Sequence, residues 1–89
     1  MKKQLSLDQL RPGEQARIEE INHHSSMRRR LQELGFVSGT LVECVGQSPS
    51  GDPSAYLVRG AVIALRHCDG ALVQIAPLPE SEEYHGTHQ

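Results

Sequence analysis

Ser25-Ser26-Met27-Arg28-Arg29-Arg30-Leu31-Gln32-Glu33-Leu34-Gly35-Phe36 is the one long helical stretch in a chain of 89 residues that otherwise reads as strand and turn. Met27, Leu31 and Leu34 recur at i, i+4 and i+7 and lay a narrow apolar stripe along the helix. Ser25 or Ser26 can cap its start. Gly35 suits the left-handed position after the last turn, from which a Schellman ending returns Phe36 onto Leu31. At about 100° per residue, Arg30 falls at the edge of the stripe and is expected to pack or pair inside the domain, whereas Arg28 and Arg29 point away. Three arginines in a first turn oppose the helix dipole, so at least one should meet a carboxylate.

Working outward, Ser6-Leu7-Asp8-Gln9 has the S-x-x-Q form of a capping box and predicts a single helical turn before Arg11-Pro12-Gly13-Glu14 reverses the chain. Gln15–Ile21 alternates as a strand with one wet face. Beyond the helix, Thr40–Val45 is β-branched enough for a buried strand, and 46–53 is a loop by composition. Ala55–Arg59 and Ala61–Arg66 flank Gly60 either as two strands joined by a tight bend or as one bent, bulged strand pair. His67-Cys68-Asp69-Gly70 reads as a turn, and Leu72–Ala76 as the last strand, stopped by Pro77 and Pro79. Five short strands with one inserted helix predict a mainly β fold, a small barrel whose closure removes exposed edges. Residues 1–78 form the domain, and the acidic stretch 79–89 is expected to be disordered.

Composition narrows the function. The chain has no Trp, two Tyr and one Phe, too few aromatics to line a groove for proline-rich peptides or stacked bases. Setting aside Glu80, Glu82 and Glu83 leaves nine basic residues against eight acidic ones, so no nucleic-acid footprint appears. The longest apolar run, Gly60–Leu65, is far short of a membrane span. No secretory signal follows Lys2-Lys3, which predicts a cytoplasmic protein with reduced Cys44 and Cys68.

Taken in order, Leu7-x-x-Leu10-x-x-Gly13, Arg30-Leu31-x-x-Leu34-Gly35, Gly39, Gly51-Asp52-Pro53, Arg59-Gly60 and Ala64-Leu65-Arg66 resemble the FeoA family of ferrous iron transport accessory proteins. The resemblance covers residues 5–76. It implies an SH3-like barrel and a cytosolic partner of FeoB, the membrane ferrous iron transporter with a cytoplasmic GTP-binding domain. The same fold occurs as the C-terminal domain of iron-dependent repressors, behind a DNA-reading helix. Only six residues precede Leu7 here, so no such helix is expected.

The candidate partner-binding residues are Arg28, Arg29, Arg59 and Arg66, which can present cations to an acidic surface. The plainer reading of Arg28 and Arg29 is a solvated helix face, with Arg29 paired to Glu33 at i, i+4. Gly35, Gly39, Gly60, Arg30, Leu31 and Leu34 are assigned structural roles. No metal site is expected: neighbours such as His23-His24 and His67-Cys68 diverge in extended chain, and neither H-x-x-x-H nor C-x-x-C occurs. At most, His85 and His88 could hold iron(II) or another divalent ion weakly. Gly51-Asp52-Pro53 has too few backbone donors for a phosphate loop, and no nucleophile elbow or carboxylate pair marks an enzyme. The expectation is a non-enzymatic interaction module that docks on the transporter and modulates iron(II) uptake. The alternatives are a ferrous iron carrier or sensor, and a nucleic-acid-binding small barrel.

Overall fold

The computed structural model describes residues 5–78; the expected disorder of 79–89 lies outside them. Six strands form one antiparallel sheet: β1 (Leu5–Ser6), β2 (Gln15–Ile21), β3 (Leu41–Gln47), β4 (Ser54–Val58), β5 (Ala61–Leu65) and β6 (Val73–Pro77). Their order is β1-β6-β2-β3-β4-β5. The expected five strands are all present, and the two-residue β1 is an addition, pairing Leu5 with Ile75 and Ser6 with Gln74. β5 pairs with β4, and no pairing of β5 with β1 or β6 occurs among the described residues, so the ladder keeps two edges where full closure was expected.

Alternation sorts the faces. Ala16 and Ile18 of β2, Val42 and Cys44 of β3, Tyr56 and Val58 of β4, and Val73 and Ile75 of β6 turn into one core with Leu7, Leu31 and Phe36. A register shift between Ile18 and Glu20 carries Ile21, rather than Glu20, back inward. A second shift between Cys44 and Gly46 leaves Val45 on the outside.

The helix, α1 (Arg28–Glu33), is shorter than its sequence signal, because Ser25 Oγ accepts the Met27 N–H (3.0 Å) and holds the preceding residues as a turn. Its end is as expected. Gly35 N–H donates to Gln32 O (3.0 Å) and Phe36 N–H to Leu31 O (3.0 Å), with Gly35 at φ 113°, and both Leu31 and Phe36 are fully buried. At the N-terminal end, Ser6 N–H donates to Gln9 Oε1 (2.7 Å) to start the 3-10 turn Leu7–Gln9. That turn is tied to the sheet by Tyr56, whose buried hydroxyl donates to Leu7 O (3.3 Å). His67–Gly70, read as a turn, is a single helical turn, α2. It packs on the 3-10 turn so closely that a Cβ on Gly70 would lie 3.3 Å from the Asp8 backbone nitrogen.

Candidate functional site

The register that buries one face of β2, β3 and β4 exposes the other. Gln15 stands opposite Glu43, Glu43 opposite Leu57, and Leu57 opposite Val62, so four strands contribute to one outward row. Gln15 Nε2 donates to Glu43 Oε1 (3.2 Å) at one end of it. At the other end the row is apolar: Leu57 is 36% and Val62 64% exposed, with Leu41 (40%) beside them. A groove of about 330 Å³ runs here, between Leu41, Glu43, Leu57 and the Arg59-Gly60 turn. Sequence reasoning missed these apolar residues. The signal was present in the dipeptides Leu41-Val42, Leu57-Val58 and Val62-Ile63, since adjacent apolar residues in a strand put one on each face.

The arginines fall in different places. Arg59 joins β4 to β5 at φ 52°, a left-handed conformation that disfavours a side chain like its own, and its methylenes pass 3.2 Å from where a Gly35 Cβ would stand. Arg66 lies at the far end of β5, exposed, with Nε 3.9 Å from Asp69 Oδ2. Together they bracket that strand. Arg29 is 92% exposed and sits 3.9 Å from Glu33, the solvated pair its spacing suggested.

For the other two helix arginines the wheel assignment is corrected. Arg30, expected at the core edge, is exposed, and Arg28, expected outside, is half-buried with its Nε buried and without a hydrogen-bond partner. The reason is the short helix: Arg28 is its first residue, and side chains there lean back over the incoming turn rather than following the wheel. The remaining structural assignments sit in plain positions. Leu31 is buried and Leu34 half-buried against the core, and Gly39 and Gly60 take positive φ in turns.

Among the described residues two titratable groups are shifted, both by burial. Desolvation pushes the Cys44 thiol up, against a weaker opposing hydrogen bond with the Gly46 backbone, and it likewise raises the Tyr56 phenol. Neither faces the groove. Both cysteines are free. Among the described residues no three His, Cys, Asp or Glu side chains gather as a metal-holding group, and His23 meets only Glu20, at 3.7 Å. No helix among them is long and apolar enough to cross a membrane.

The FeoA domain family matches residues 5–77. The chain belongs to the FeoA family. Among solved relatives, an FeoA-like protein from Clostridium acetobutylicum superposes with TM-score 0.81 at 29% identity, covering 90% of this chain and 93% of that one. The FeoA of Stenotrophomonas maltophilia, described as a prokaryotic SH3 domain protein and crystallised with zinc, gives TM-score 0.73 at 30% identity, covering 81% and 89%. The expected SH3-like, mainly β fold is thus shown for this FeoA chain. In sequence it is 31% identical over 71 residues to a fusion of Fe(2+) transport protein A with the Fe(2+) transporter FeoB in Porphyromonas gingivalis. The match takes in 80% of this chain, which spans 8% of that relative's length.

Proposed function

We propose that this FeoA chain is a non-enzymatic accessory protein of ferrous iron transport, working in the cytoplasm by docking on the cytoplasmic GTP-binding domain of a FeoB-type transporter and modulating iron(II) uptake. The observation that carries the reading is the fused relative, in which such a domain shares a polypeptide with the transporter. A fused pair acts at one place, so a domain related to its FeoA part has reason to act on the same kind of transporter by binding it. The surface fits such a role, because the groove combines exposed Leu41 and Leu57 with the cationic Arg59, the mixture usual where proteins meet. Arg59 and Arg66, with Arg28 and Arg29 on the helix, are the cations offered to an acidic partner. Iron is cargo of the transporter in this reading.

The test is a titration of the purified cytoplasmic domain of a FeoB-type transporter with the parent protein and with Arg59→Glu plus Arg29→Glu. Saturable binding that weakens on charge reversal, with an unchanged melting curve, is the expected result. Absence of binding by the parent, or stoichiometric iron retained by it after desalting, overturns the reading.

A further inference from the structure

We propose that the free edge of β5 takes up an extended segment of the partner protein as an added strand, the segment carrying apolar side chains at alternate positions and a carboxylate at the end beside Arg59. This deepens the accessory reading, from which it takes only the existence of a protein partner. Arg59 and Gly60, at φ 52° and 83°, form a two-residue turn of the I′ kind, which makes Val58 and Ala61 the hydrogen-bonded closing pair. Antiparallel ladders alternate from there. Ala61, Ile63 and Leu65 spend their backbone groups on β4, while the N–H and C=O of Val62 and Ala64 point to the open side. Among the described residues nothing covers them.

Sheet edges are ordinarily guarded by Lys, Pro, a bulge or brevity. β1, the opposite edge, is two residues long, but β5 has five, uncharged and with unbroken register. A second copy is a poor occupant. Antiparallel self-pairing about Ile63 would set Arg66 of each copy against the Arg59-Gly60 turn of the other, like charge against like. What the edge asks for is a carboxylate. Among the described residues Arg59 has no ion pair, and it is held at the hairpin tip in a conformation that favours Asn, Asp or Gly. The Arg66 end makes no such demand, since Asp69 stands 3.9 Å away and Asp52 is already bonded to the His67 N–H (3.0 Å). Alternate side chains of an added strand would land beside Val62, which extends the apolar row from Leu57, so those positions should be apolar.

The probe is a short blocked peptide alternating Val and Thr and headed by Asp at its C-terminal end, which an antiparallel strand sets beside Arg59, with a Lys-headed twin and an N-methylated version, titrated while backbone amide shifts are followed. The largest shifts should fall on Val62 and Ala64, and the Lys-headed peptide should bind roughly tenfold more weakly. Ala64→Pro removes an outward N–H without touching the β4 ladder, so the fold should stand and binding should be lost. The proposal is overturned if the Asp-headed peptide does not bind, if it binds Ala64→Pro equally, if N-methylation has no effect, or if the free protein dimerises through these same amides. A transporter domain that binds the parent and Ala64→Pro alike defeats strand addition and leaves the accessory reading standing. A transporter domain that binds neither, while the peptide binds the edge, defeats the accessory reading alone.

Discussion

Replacing Gly35 by Ala perturbs the joint between helix and hairpin in two separable ways. The backbone at φ 113° is a conformation that L side chains rarely adopt, and holding one there costs about 1–3 kcal/mol. The new Cβ also meets Arg59 Cδ at 3.2 Å, but that atom belongs to an exposed side chain, which can swing aside for about 0.5 kcal/mol. Val58 Cγ2, at 3.7 Å, is an ordinary contact. The sum is about 2 kcal/mol, most of it backbone. In a domain of this size that lowers the melting temperature by about 8–16 °C. Thermal and urea unfolding of Gly35→Ala, Arg59→Ala and the double variant separate the contributions. Backbone strain requires the Gly35→Ala loss to persist, within about 0.5 kcal/mol, when Arg59 is truncated. A loss that disappears in the double variant, or a Gly35→Ala protein that melts with its parent, refutes the reasoning.

Burial keeps Cys44 and Tyr56 protonated in the fold above pH 9.0 and 10.0, where a thiol and a phenol ordinarily ionise, so the folded chain binds more protons than the unfolded one. Stability is then intact below pH 9.0 and falls as pH rises, by up to about 1.4 kcal/mol per pH unit for each titrating group; urea midpoints across this range should decline less steeply in Cys44→Ala with Tyr56→Phe. Arg30→Glu should leave the melting curve nearly unchanged and Arg28→Glu should lower it, because Arg28 is half-buried with its Nε out of water whereas Arg30 is exposed; the opposite ranking in a differential scanning experiment would restore the wheel assignment. Arg59→Asn should raise stability by about 0.5–1 kcal/mol through relief at the left-handed turn while weakening partner binding, a trade that paired unfolding and titration measurements would expose.

The parts of the fold written in local chemistry were legible. β2 has the bounds its alternation gave, Gly35 and Phe36 form the expected Schellman ending, and the bend at Gly60 is a hairpin turn. β1 and α2 were not, because two residues are too few to show a period and one helical turn looks like any polar turn. Their partners, Ile75 and the Asp8 backbone, lie some sixty to seventy residues away in sequence. The groove was hidden for a related reason. Gln15, Glu43, Leu57 and Val62 become neighbours only through strand register, which no single strand encodes. The exchange of roles between Arg28 and Arg30 arises at a helix start, where a wheel built on a full-length helix loses its phase.

The position of β6 between β1 and β2 bears on how the chain matures during synthesis. β2, β3, β4 and β5 pair each with the next, so this meander can assemble as it leaves the ribosome. The inner flank of β2 then waits for a strand more than fifty residues downstream, and β1 waits with it. Until residue 77 emerges, Ile18, Ile21 and Leu7 lack the cover of Val73 and Ile75, and the nascent chain presents a sticky strand to its surroundings. Translation pauses just ahead of β6 would prolong that interval, and a chaperone that recognises exposed apolar strands would find the inner flank of β2 open during it.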